Sequence, residues 1–514
     1  MCQFKIRPKQ TFEWTSWLAT GVLCLIIPNW TFASSPPGIA TSLAKPTPSV
    51  MELTVIGSDH HRIASVDEDS VHLDSVHLQS IRHAKKRPDF GGETCIALYL
   101  QSLGHQVTGD DVFDASRVDP IHGRGCHASE LNRAAKRLGF QTGDVWLNAS
   151  TQTAVDAVWK IILTDLKTGT PSVVCRINNG AEEFVLVIGH DATTDEVIFH
   201  DPNQVRGASL RKPRPQFLAD CRLAKPSATT SGEAQIVCIG LKSTRLKITP
   251  GVGFTDADFA QHIRDLKTRL PHDDFKIVLQ KPFVVVGDGT MAQVKRSATG
   301  TVKWAVDSIK QDFFQKDPIH IIDVWLFKNP ESYRKHNLEL FDSNPGTPYG
   351  YYSSANRVLV MDISTGGGTL VHEIVHPFIE SNFARCPSWF NEGLASLYEQ
   401  SASRNGHIVG LTNWRLRGLQ LTIQDDRLPS FKELCSTTTR EFYDGASTNY
   451  AQARYLNYYL QERGKLIEFY QEFTKNCKQD PTGYETLQKV LGRQDMDKFQ
   501  DQWEQYVLKL RFGN

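Results

Sequence analysis

The chain has 514 residues, 40% hydrophobic and 22% charged, with 57 Lys plus Arg against 57 Asp plus Glu. Single hydrophobic cores stop growing near ~250–300 residues, so this length predicts two domains. The charge balance supplies no net attraction for nucleic acid or an anionic membrane, and neither is expected as a partner.

At the N-terminus Lys5, Arg7 and Lys9 precede an apolar run from Trp17 to Ile27, which Pro28 breaks before Thr31-Phe32-Ala33. A basic start, a short apolar stretch and a small-residue cleavage site predict a signal peptide over 1–33. The run is too short for a comfortable span. The expectation is a secreted or periplasmic protein with no stable membrane span once the signal is removed. Cys24 does not read as a lipoprotein cysteine, because Leu23 rather than a small residue precedes it.

Of the ten cysteines, Cys2 and Cys24 fall in the signal and eight remain, none in a C-x-x-C. Eight cysteines allow 105 pairings, and the sequence selects none of them. Residues 34–86 read as a flexible linker. It is rich in Pro, Ser, Thr and Ala at first, and holds the duplicated pentapeptide DSVHL-DSVHL (69–78).

Residues 87–245 alternate helical and strand patterns, which predicts an α+β domain. GETCIALYLQSLG (92–104) and SELNRAAKRLGF (129–140) carry apolar residues at helical spacing. SVVCRI (172–177), FVLVIG (184–189) and EVIFHDP (196–202) read as strands. GGETCIALYLQSLG resembles the nucleophile helix of the double-glycine leader peptidases, a papain-like family with a motif of the form C-G-P-[AT]-C-L-A-M. Gly92, Thr94, Cys95, Ala97 and Leu98 fit that motif, and the nucleophile position falls on Gly91. Glu183 stands where the family has its histidine, Asp201 matches its aspartate, and no glutamine occurs in RPDFG (87–91) to serve the oxyanion. The resemblance implies a papain-like domain without its chemistry, since acyl transfer needs a thiolate and an imidazole base. A live thiol site on Cys95, assisted by His190 or His200, is the other reading of this domain.

Residues 255–514 form the second expected domain. FVVVGD (283–288), HIIDVWLF (320–327) and RVLVMDI (357–363) read as strands, the second part of 297–314 as a helix, and nearly everything after 366 as helical. TLVHEIVHPFIE (369–380) contains His372-Glu373-Ile374-Val375-His376. On a helix, residues i and i+4 share a face, so His372 and His376 can chelate one ion, and Glu373 at the edge of that face can reach a water on it. Downstream, PSWFNEGLASLYE (387–399) predicts a second helix presenting Glu392. Two histidines and a glutamate leave the open position that catalytic zinc needs.

H-E-x-x-H followed by N-E-G-x-A resembles the gluzincin metallopeptidases, particularly peptidase-MA-like domains of secreted bacterial proteins. The resemblance implies a zincin-like fold, mostly helical after a small sheet. It implies Zn2+ held by His372, His376 and Glu392, with Glu373 as general base and Asn391 as support. NYAQARYLNYYLQERG (449–464) is similar to the gluzincin helix that carries a catalytic tyrosine. Tyr450 is the match and would hydrogen-bond the oxyanion, with Tyr455, Tyr458 and Tyr459 as alternatives. Two departures stand out. Pro377 follows the second histidine and is expected to kink the helix there. No G-x-M-E-N motif precedes the site, so an aminopeptidase is not expected. The expected function is hydrolysis of a peptide or protein substrate; the alternative is an inactive two-domain binding or scaffold protein of peptidase ancestry.

Overall fold

The computed structural model describes residues 75–224, 233–243, 246 and 253–512. The expected signal peptide, most of the expected linker and the first DSVHL copy lie outside these residues. The described residues belong to one compact unit, His72–Asn514, with mixed α and β structure built on two main sheets. Among the described residues no helix is long and apolar enough to cross a membrane.

The first sheet is antiparallel. Its strands are β1 (Val76–His77), β3 (Trp146–Asn148), β4 (Ser172–Asn178), β5 (Ala181–Asp191), β6 (Glu196–His200), β7 (Leu210–Pro213), β8 (Leu223–Ala224) and β9 (Ala234–Gly240). They run in the order β3-β9-β4-β5-β6-β7, with β1 added on β5 and β8 on β9. β2 (Phe140–Gln141) pairs separately with β10 (Lys242–Ser243). Successive strand residues point to opposite faces. Val173, Cys175, Leu186 and Ile188 therefore pack under α1 (Gly91–Ser102), α2 (Gly109–Ser116) and α3 (Ala128–Leu138). Val174, Val185 and Val187 pack under α4 (Gln152–Lys167) and α5 (Arg214–Asp220).

Residues 75–86 correct the linker expectation. Val76 and His77 pair with His190 and Gly189, the Leu78 N–H donates to Ile188 O at 2.9 Å, and Ile81 is buried. A two-residue strand leaves no periodicity to read; the partner strand decides it. Gly189 makes room, because a Cβ there would sit 2.5 Å from the Val76 carbonyl oxygen.

Helix α6 (Asp256–Arg269) leads into the second sheet: β11 (Lys276–Gln280), β12 (Phe283–Gly287), β13 (Ile322–Phe327), β14 (Gly350–Ser353) and β15 (Val358–Asp362). The order is β11-β12-β13-β15-β14, with β12, β13 and β15 parallel and an antiparallel strand at each edge. One face, including Val284, Val286 and Trp325, packs on α6 and α9 (Pro330–Phe341). The other, including Phe283, Val285 and Leu359, packs on α7 (Met291–Arg296), α8 (Lys303–Asp312) and the helices after residue 366. The helical stretch begins at Met291, before the expected position. Thr290 caps it by accepting from Gln293 N while the Gln293 side chain accepts from Thr290 N. A π-helical stretch, Ser297–Val302, joins α7 to α8.

From Gly368 the chain folds as α10 (Gly368–Asn382), α11 (Ser388–Leu397), the hairpin β16 (Ser401–Arg404) and β17 (His407–Gly410), then α12 (Arg415–Gln424), α13 (Phe431–Ser436), α14 (Thr439–Asp444), α15 (Ala446–Glu462), α16 (Leu466–Asn476), α17 (Tyr484–Leu491) and α18 (Met496–Lys509). The hairpin interrupts the expected helical run. The helix α10 extends five residues past Pro377, to Asn382.

Candidate metal centre

Helix α10 is apolar on the side that meets the sheet: Leu370, Val371, Ile374, Val375 and Phe378 are all buried. That packing fixes its rotation and turns His372, Glu373 and His376 toward α11. On α11, Trp389, Phe390, Leu394 and Ala395 are buried in the same core, which turns Glu392 back toward α10. The two helices bring three donor atoms together. Glu392 Oε2 lies 3.2 Å from His372 Nε2 and 3.9 Å from His376 Nε2, and the imidazole centroids are 5.0 Å apart. Glu373 is the fourth member, with Oε2 3.7 Å from His376 Nε2. The ligand atoms of His372, Glu373 and His376 all fall within 4.8 Å of one another, a group able to hold a metal ion.

The donor set fits an ion. Glu392 Oε2 is buried and has no hydrogen-bond partner, a costly state for a carboxylate oxygen unless a cation meets it. The Nδ1 atoms point away from the group: that of His376 is hydrogen-bonded to Asn391 Oδ1 at 2.9 Å, while that of His372 faces Glu399 Oε1 at 3.3 Å without forming a hydrogen bond. Tying the far nitrogen to oxygen is how a ligating imidazole is oriented. Burial works to raise the Glu392 carboxyl, but the two imidazoles and the Tyr443 hydroxyl outweigh it and hold the group down at about 2. Glu373 goes the other way. Burial raises it above the ordinary carboxylate range, against the pull of both histidines and the Tyr352 backbone N–H.

Two partners of the site, Glu399 and Tyr443, were not legible in the sequence. Glu399, just past the end of α11, accepts from Arg415 Nε at 3.0 Å and Nη2 at 2.8 Å, and from Asn413 Nδ2 at 3.0 Å, while facing His372. Tyr443 on α14 donates to Glu392 Oε1 at 2.5 Å. Tyr450, the expected oxyanion donor, is half-buried beside them. Its ring is 6.2 Å from that of Tyr443, and the Arg415 guanidinium lies 5.0 Å from its centre. Burial first, then Glu392, push its phenol well up. Of the alternatives, Tyr455 is fully buried and bonds Asn413 through its hydroxyl, while Tyr459 packs on Phe499 and Tyr506.

Of the positions expected to have lost thiol chemistry, Gly91 on α1 and Glu183 on β5 share one groove. Asn203 also lines it, and its volume is about 560 Å3. Asp201 is fully buried and accepts from Arg176 Nη2 at 2.5 Å, Gln204 Nε2 at 2.7 Å and Asn203 N at 2.9 Å; Glu183 is 3.7 Å from the same Arg176 nitrogen. A guanidinium, not an imidazole, bridges the two acids. Cys95 is fully buried, and burial raises its thiol well above the ordinary value. His190 is bonded to Asp195 and His200 to Ile81 O.

A family model described as a protein of unknown function (DUF1570) matches residues 367–482, the stretch that carries both histidines, Glu373, Glu392, Glu399, Arg415 and both tyrosines. No curated protein matches the chain. The peptidase domain of Streptococcus ComA, a bi-functional ABC transporter involved in a quorum-sensing pathway, is similar at 15% identity and a TM-score of 0.22, covering 32% of this chain and 99% of that one.

Proposed function

We propose that the chain is an exported zinc-dependent peptidase, with a zincin-like domain over residues 255–514 following a papain-like domain over 87–245 that has lost its own chemistry. The observation that carries the reading is the convergence of His372 Nε2, His376 Nε2 and an unpartnered Glu392 Oε2, with Glu373 alongside. Zn2+ held there would polarise a substrate carbonyl and make water nucleophilic near neutral pH. Glu373, buried and raised by that burial, takes the proton from the attacking water and returns it to the leaving amine. Asn391 and Glu399 hold the imidazoles in orientation. Tyr450 supplies a hydroxyl to the developing oxyanion.

A binding role is the second reading for the first domain, favoured by its groove and by Gly91 and Glu183 standing where thiolate and imidazole would be. Metal analysis of the purified full chain, paired with peptide hydrolysis by wild type and Glu373→Ala, tests the main reading. We expect one zinc per chain in both proteins, and hydrolysis lost by at least a hundredfold in the variant. Well under one zinc per chain in metal-replete buffer overturns the metal assignment, and equal hydrolysis by the two proteins overturns the role of Glu373.

A further inference from the structure

The two oxygens of Glu392 have different surroundings. Oε2 faces both imidazoles and takes no hydrogen bond. Oε1 is occupied by the Tyr443 hydroxyl, 2.5 Å away. A carboxylate with one oxygen so engaged has only the other to give to an ion. A carboxylate free to rotate can offer both, which would fill the position that a catalytic site keeps open.

The geometry points to Tyr443 as the positioning residue that makes Glu392 a one-oxygen ligand and keeps the fourth position of the proposed metal free. This inference rests on the metal reading above and goes beyond it, since sequence resemblance nominates Tyr450 and leaves Tyr443 without a role.

Tyr443 is held for this task from both sides. Phe442, the residue before it, is fully buried in the core. Asn449 Nδ2 donates to Phe442 O at 2.9 Å, which fixes α14 against the start of α15. Ser388 Oγ and Thr439 Oγ1, 3.0 Å apart, join the first turn of α11 to the first turn of α14. The helix bearing Glu392 and the helix bearing Tyr443 are thus pinned to each other at their N-terminal ends. Part of the Tyr443 ring is open to solvent while its hydroxyl reaches inward, so removing the hydroxyl leaves no buried cavity.

The test uses the full chain stripped of metal and compares wild type, Tyr443→Phe and Tyr450→Phe. Zinc affinity is read by competition with a chromophoric chelator, and ligand geometry from the visible spectrum of the Co2+-loaded proteins. We expect Tyr443→Phe to bind zinc about 10- to 100-fold more weakly, the cost typical of losing an outer-shell partner. Its Co2+ bands should weaken as the second Glu392 oxygen enters. Tyr450→Phe, which also removes a hydroxyl that senses Glu392, should weaken zinc binding less than Tyr443→Phe does. Tyr443→Leu, which also lacks the hydroxyl, should move in the same direction as Tyr443→Phe, and this guards against an effect of the phenylalanine ring itself. Wild-type affinity and spectrum in Tyr443→Phe, with zinc bound by wild type, overturn the positioning role and leave the metal reading standing. A wild type that binds no zinc overturns both.

Discussion

Glu93 gives a quantitative test of how α1 packs on the first sheet. It lies in the first turn of α1, fully buried, with Oε1 accepting from Cys126 N at 2.6 Å and Oε2 without a partner. Burial raises its pKa from 4.5 to about 7. The raised value means that folding favours the protonated acid. Its contribution to stability is complete below the unfolded value of 4.5 and is lost as pH rises through about 7. A shift of this size corresponds to about 3 kcal/mol, at about 1.4 kcal/mol per unit. Glu93→Gln keeps the shape and the acceptor but cannot ionise. Urea unfolding of the full chain, followed by fluorescence from pH 4.5 to 8.5, should find the two proteins similar at the acid end. The variant should gain progressively, reaching about 3 kcal/mol by pH 8. Comparing the pair cancels the titration of every other group. Parallel profiles across that range, or a variant less stable than wild type at pH 8, would rule out a protonated Glu93 in the folded chain.

Asp201→Ala should cost about 3–5 kcal/mol in the same urea assay, because it strips a buried guanidinium of its main partner; a loss below about 1 kcal/mol would show that Glu183 alone satisfies Arg176. Arg415→Met should leave Glu399 without its fork of hydrogen bonds and weaken zinc binding by about 10- to 100-fold. Chelator competition with an unchanged zinc affinity would detach Glu399 from the orientation of His372.

What could be read from the sequence was local. The histidines of α10 share a face by their i, i+4 spacing, whereas the roles of Asn391 and Glu392 on α11 came from the resemblance of N-E-G to a known motif. Glu399 and Arg415 meet only because the β16–β17 hairpin turns the chain back on itself, and nothing near either residue signals the other. Tyr443 was hidden for a different reason. It lies on a six-residue helix, too short for a pattern, and its partner is fixed by how α14 docks. The strands at 283–287, 322–327 and 358–362 were evident as apolar runs, but their order in the sheet was not. The register of β1 depends on space at Gly189, which is a property of another strand.

Helix α6 belongs to two cores at once. Ala257 and Ala260 close the one above the first sheet, while Phe259, Ile263 and Leu266 close the one beneath the second. The fit to the elements of the first sheet is close: a Cβ on Gly123, at φ +60°, would lie 3.0 Å from the Arg264 backbone nitrogen. Arg264 bonds Asp89, Gln261 bonds Pro88 O, and Ala257 N bonds Asp114. A cut between residues 245 and 255, where the sequence invites one, therefore leaves each fragment with a bare wall. The two sheets share one wall, and a chain started at residue 255 would turn Ala257 and Ala260 out to water.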